Sequence, residues 1–342
     1  MQLKSERIKI PRDIVQVSRS FYEKGWSDGL PIIPPTEARV LSLLQGTERK
    51  SDEVIGLIPP KWAEATVEKI GINAVMAGCL PEHMPVIIAT VEAMVHKKVN
   101  LYGVQATTHP CGFLLIINGP IRKQLGINCS YGAFGPGTLP NAVIGRAIRL
   151  ILINIGGGIP GKVDKATHGQ PGKFTYVIGE HEEESPWEPL SIEGGFSSEQ
   201  NTITVIAAEG PHNVNDHASI SATGILTTVA GTLASQGNNN ILLQVGGPVV
   251  ILGPEHAKTI ATDGFTKKNV KEFLFQKARV PKKAFSKEQQ ERRFVDFPED
   301  SMISIACKPE DITIVVAGGA GKHSMVIPTF GNTFPITNVI GI

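Results

Sequence analysis

The chain has 342 residues, 41% of them hydrophobic, which is enough for one large core or two smaller ones. Lys and Arg number 33 against 32 Asp and Glu, so the formal charge is +1 and the single-sign field that nucleic acid or an anionic membrane selects is missing. The one basic concentration, from Lys267 through Lys287 to Arg293, is broken by Glu272, Glu288 and Glu291. No apolar stretch is long enough to span a bilayer and no leader-like apolar run opens the chain, so a cytoplasmic protein outside the membrane is expected. Cys79, Cys111, Cys129 and Cys307 contain no CxxC pair, which predicts free thiols in a reducing compartment.

In chain order, a first helix is predicted from Pro11 to Lys24, with Ile14, Val17 and Phe21 on one face and Gly25 as its stop. Trp26–Pro35 holds Pro31, Pro34 and Pro35 and reads as a rigid extended loop, after which Thr36 caps a short helix to Leu44. Helices follow at Ala63–Ala77 and Met84–His96, extended pieces at Tyr102–Thr107 and Phe113–Asn118, and a strongly apolar helix at Pro140–Ile155. Further strands are expected at Phe174–Ile178, Thr202–Ala207, Ile241–Val245, Val249–Leu252 and Ile312–Val316. Helices are expected at Ser219–Ala234, Glu255–Ala261 and Thr266–Lys277, and the charged span Val280–Glu299 reads as a surface excursion. This alternation predicts an α/β fold with a layered mixed sheet and internal pseudo-repeats. Residues 1–60 are expected to form N-terminal helices and a Pro-rich extended loop, and residues 61–342 the main α/β catalytic region, divisible into lobes at 61–165 and 166–342. The apolar helices at Met84–Val95 and Ala142–Ile155 predict a homo-oligomer if one chain cannot bury both.

The densest polar stretch is Glu209–His217, directly after an apolar strand, where α/β proteins place ligand sites. His212, Asp216 and His217 supply two imidazoles and a carboxylate, enough for a general base and its orienting partner, with His212 as the base. A metal held by His212 and His217 is the alternative, although the spacing matches no established zinc signature. His109, in Gln105-Ala-Thr107-Thr108-His109-Pro-Cys111, is a second candidate catalytic residue; the thiol of Cys111 reads as packing. Gly318-Gly319-Ala-Gly321-Lys322-His323-Ser324 fails as a P-loop because His323 replaces the required Ser or Thr. As a Gly-rich turn beside a cation it could still hold an anion. His168 lies in a polar turn with Lys173 nearby, whereas His83, His96, His181 and His256 read as surface residues. One cleft is expected to gather His109, His212 and His323 within about 10–12 Å.

Several runs resemble one family over nearly the whole chain: DGLPIIPPTEARV (28–40), ATVEKIGINAVMAGCLPEHMPVI (65–87), VQATTHP (104–110), NGPI (118–121), LGIN (125–128), ATHGQPGKFTY (166–176), SPWEPL (185–190), AAEGPHNVNDH (207–217) and VVAGGAGKHS (315–324). The chain is similar to proteins grouped with the UGSC family of (seleno)proteins, whose partners bear a Cys/Sec-Gly-Ser-Cys redox motif. That motif is absent from this sequence, so the resemblance implies the companion subunit of a two-component enzyme, of reductase or lyase type. Its matching motif positions point to Glu68, Lys69, Asn73, His109, His168, His212, Asp216, His217 and His323; of these, Lys69, Asn73, His168 and His323 are expected on the substrate side, together with Gly319, Gly321 and Lys322 of the Gly-rich turn. Neither the residues nor the resemblance names a cofactor. Two other readings compete: a stand-alone metal-dependent hydrolase or lyase using His212, His217 and His109 or His168, and a non-catalytic binding scaffold.

Overall fold

The computed structural model describes residues 3–341. Its strands are β1 (Val54–Ile58), β2 (Ala63–Thr66), β3 (Gly112–Asn118), β4 (Val177–Gly179), β5 (Thr202–Ala208), β6 (His212–Asn215), β7 (Val249–Leu252), β8 (Arg279–Pro281), β9 (Met302–Ser304), β10 (Thr313–Val316), β11 (His323–Ile327) and β12 (Ile336–Val339). Two four-stranded mixed sheets, ordered β12-β5-β3-β4 and β10-β7-β11-β6, carry the architecture; β1 pairs with β2, and β8 with β9, as separate ribbons.

The two sheets pack face to face. Along β3 the side chains alternate: Leu114 and Ile116 enter a central cluster with Val249, Ile251, Val315 and Ile327 of the second sheet, while Phe113, Leu115 and Ile117 turn outward. That outer face is covered by helices Val67–Ala77, Met84–Met94 and Leu139–Asn154. On the other side Val250, Leu252, Ile314 and Val326 meet helices Ala222–Leu233, Pro254–Thr262 and Lys267–Lys277. The result is four layers, helix–sheet–sheet–helix, in agreement with the expected α/β class. Both strongly apolar helices are buried by the chain itself, so their composition requires no subunit interface.

The pseudo-repeat is topological. In the first sheet β3 runs parallel to β4 and antiparallel to β5, and β12 is antiparallel to β5. In the second, β7 runs parallel to β10 and antiparallel to β11, and β6 is antiparallel to β11. The halves exchange their last strands: β5 of the first sheet continues into β6 of the second, and β11 of the second continues into β12 of the first. The two connections touch where they cross, with Glu209 N–H donating to Pro328 O at 2.9 Å and Phe330 N–H to Ala207 O at 2.9 Å. Buried Asn240 holds the crossing by accepting from Thr329 N–H (2.9 Å) and donating to Thr329 Oγ1 (2.8 Å).

Several local expectations are corrected. Tyr102–Thr107 is no strand: Leu101–Gln105 is helical, capped by Asn100, whose side chain accepts from Gly103 N–H. Of Ile241–Val245, the first three residues likewise belong to helix Asn239–Leu243, capped by Asn238 and closed by Gln244 in the left-handed conformation. The helix expected from Ala63 starts at Val67, because Ala63–Thr66 pairs as β2 and Thr66 is the cap. Of Phe174–Ile178, only the end joins β4. The charged span Val280–Glu299 is not a mere excursion, since Val280, Phe285 and Phe294 are buried in the second half's core. His83 and His256, expected on the surface, are 2% and 1% exposed. His83 Nδ1 accepts from Leu80 N–H, and His256 joins two segments of the second sheet.

Candidate functional site

Three of the polar motifs meet at the crossing of the connections. Pro110 leads the chain from the loop at His109 into β3, and β5, antiparallel to β3, delivers Glu209 to the same edge. There His109 Nε2 and Glu209 Oε1 stand 2.7 Å apart. The turn at 166–176 closes the group: Thr167 N–H donates to Thr108 O, and Tyr176 Oη–H donates to Glu209 O at 2.9 Å. Gln170 lies over both Gly112 and Gly210, where a Cβ would come within 3.2 Å and 3.5 Å of its amide. Phe330, from the crossing connection, lies against the His109 ring with centroids 5.3 Å apart.

The pair is part-buried, with the His109 side chain 15% exposed and that of Glu209 26%. His109 Nδ1 is buried without a hydrogen-bond partner, so Nε2 and Glu209 form the ring's route to the outside. Behind them, buried Asp164 accepts from Lys173 Nζ at 2.9 Å and Arg149 Nη2 at 2.9 Å. Burial alone would raise the Asp164 carboxyl, but these bonds outweigh it and hold it below the usual range. Two cations on one carboxylate leave a positive excess. Arg149, Asp164, His168, Gln170 and Lys173 line an open cleft of about 530 Å³. Burial pushes Cys111, beside this group, up to about 12, so its thiol stays protonated.

The other sequence candidates lie elsewhere. His217 Nε2 and His323 Nε2 face each other at 3.2 Å, and His323 Nδ1 lies 3.1 Å from Asn213 Oδ1. From His323 to Pro328, the contact of Glu209, β11 spans about 16 Å at the usual rise per residue, so this cluster and the His109 pair occupy opposite ends of the strand. His212 is exposed on β6 in register with Val326, whose side chain faces the helix layer, while His323 lies on the other face of the sheet. The single cleft expected for His109, His212 and His323 is therefore divided among three places. Asp216 does not reach His212. Burial works against its ionisation, yet bonds from Thr228 Oγ1 (2.6 Å) and Ser219 N–H (2.9 Å) hold it at about 2.

Part of the glycine turn's donor set is already engaged within the fold. Gly318 N–H donates to Cys129 O, Gly321 N–H to a Glu255 carboxylate oxygen, and Lys322 Nζ to His217 O; Gly319 lies under the Tyr131 ring. Lys69 Nζ donates to Glu64 O, and Asn73 bridges helices by donating to Lys69 O and accepting from Asn154. Cys129, His181 and Glu183 bring donor atoms within 4.8 Å of one another. The Arg122 guanidinium sits 3.9 Å from Cys129 Sγ and 3.1–3.2 Å from the Glu183 oxygens, filling with positive charge the place a cation would need.

Glu209 was visible in the sequence as part of the polar stretch, but its partner lies 100 residues away, so no local spacing marks the pair. Gln170 and Tyr176 carry no local signal either; the turn at 166–176 stood out for His168, which is exposed at the cleft. No protein-family model, curated protein or solved structure matches this chain.

Proposed function

We propose that the chain is an enzyme subunit that acts on a small polar or anionic substrate by acid–base chemistry at the His109–Glu209 pair. The observation that carries the reading is the 2.7 Å contact between an imidazole and a carboxylate supplied by distant segments and held at the strand crossing. Glu209, the more exposed partner, is the group that meets substrate. Its proton exchange is coupled to His109 through Nε2, and the bond from Tyr176 to Glu209 O fixes the carboxylate's backbone. Asp28, which also lines the adjoining cleft, is neutralised by Arg146, so the excess positive charge of Lys173 and Arg149 over Asp164 attracts an anionic substituent there. Burial raises the thiols of Cys79, Cys111, Cys129 and Cys307 above their ordinary value, so a redox step would draw its thiolate from another protein. That agrees with the resemblance to companions of Cys/Sec-Gly-Ser-Cys proteins.

The test is untargeted mass spectrometry of a small-metabolite extract incubated with the wild-type chain, Glu209→Gln and His109→Gln, each with and without a Cys-Gly-Ser-Cys protein. A metabolite consumed by wild type should be consumed about 10²–10⁴-fold more slowly by both variants, the usual worth of general acid–base assistance. Full turnover in both folded variants, with loss in His212→Gln, would return the base to His212 and sink this assignment.

A further inference from the structure

The His217–His323 cluster lies about a strand's length from the proposed acid–base pair and has no part in it. We infer that these two histidines form a binding site for a divalent late transition metal of the zinc, nickel or copper type. Two nitrogens each about 2.0–2.1 Å from a tetrahedral zinc ion stand roughly 3.3 Å apart, and Nε2 of His217 and Nε2 of His323 stand 3.2 Å apart. The rings cross at 79° with centroids 5.0 Å apart, an edge-on arrangement in which neither ring stacks on the other.

The outer contacts prepare the ligands. Asn213 Oδ1 can only accept, so His323 Nδ1 carries the proton of the 3.1 Å bond and its Nε2 presents a lone pair toward His217. Metal-bound imidazoles are commonly oriented through the opposite ring nitrogen in this way. The chain beside each histidine is fixed by one buried residue, His256, which contacts Asp216 O at 3.1 Å through Nε2 and Ser324 Oγ at 2.8 Å through Nδ1. Asp216 immediately precedes His217, and Ser324 immediately follows His323. The Asp216 carboxylate is itself fixed by Thr228 and Ser219. The ligand spacing is thus built into the β6–β11 pair before any ion arrives.

Both histidines are exposed, so two or more positions on the ion stay open to water or a ligand. One charge opposes the site: the Lys322 ammonium, which donates to His217 O at 3.2 Å. Its removal should tighten binding, whereas an anion site would lose affinity by the same change.

The experiment uses the untagged full chain in a Cys307→Ser background, which removes the exposed thiol, titrated calorimetrically with zinc, nickel and copper(II) salts. One ion per chain is expected. His217→Gln and His323→Gln should each weaken binding by at least about tenfold, and Asn213→Ala by about 10–100-fold, as for other outer-shell partners. His181→Gln should leave the binding unchanged, and Lys322→Met should strengthen it. The copper(II) complex should show coupling to two ring nitrogens in its electron paramagnetic resonance spectrum. Binding that survives the folded His217→Gln/His323→Gln double variant, or no binding by wild type, overturns the proposal.

Discussion

Asp164 stands 2.7 Å from Lys173 and 2.9 Å from Arg149 by its Oδ2, with all three side chains largely buried. Replacing it with Asn would leave two cations facing each other without compensation, which typically costs about 3–5 kcal/mol. Urea unfolding at pH 7 should show that loss as a lower midpoint with an unchanged slope. Its folded carboxyl lies below the ordinary value, so its contribution is complete above about pH 4, the unfolded value, and fades as pH falls toward the folded one. The gap between wild type and Asp164→Asn should therefore narrow on acidification; a gap constant down to pH 2 would contradict the ion-pair account. At this scale the sequence was a partial guide. It marked His109, His217 and His323 as polar centres, but which imidazole meets which carboxylate is decided by strands separated by about a hundred residues, beyond the reach of local spacing.

Among the elements, the buried strands were the most legible. Phe113–Asn118, Thr202–Ala207, Val249–Leu252 and Ile312–Val316 are short apolar runs covered on both faces, and each is found as expected within a residue or two. β6, β11 and β12 were not anticipated as strands, because β6 and β12 are edge strands with exposed or half-exposed polar residues and β11 opens with His-Ser. The segments at 102–107 and 241–245 are helical where strands are expected, since a short helical turn and a short strand look alike over about five or six residues. Helix Leu139–Asn154 offers a test of packing against propensity. Gly145 sits in its interior, where Ala ordinarily adds up to about 1 kcal/mol. Here a Cβ would run into Thr175 Oγ1 and stand 2.8 Å from Tyr176 N. Gly145→Ala should thus destabilise by about 1–3 kcal/mol, as overpacked cores do, with thermal melting as the check. A stabilised variant would show that the segment before β4 can yield.

For the whole molecule, the four layers close only when the halves trade edge strands. A chain cut after residue 240 would keep β3, β4 and β5 but lack β12, and its β6 would have no β11 to pair with. Such a fragment should show no cooperative unfolding transition by circular dichroism, while the intact chain should unfold in a single step with both sheets lost together. A fragment that melts cooperatively would mean that the halves are separable domains. The class of fold could be read from alternating strands and helices, but the exchange could not, since neither half's sequence records which sheet its last strand will join.

The traded strands also set a timetable. On the ribosome, β5 is complete at residue 208, yet its neighbour β12 ends at Val339. At roughly 5–20 residues per second, the nascent first sheet waits on the order of ten seconds with one edge unpaired. Through that interval the exposed ladder of β5 is open to other chains, so the protein's yield in the cell should depend on holdase chaperones that shield a half-built sheet.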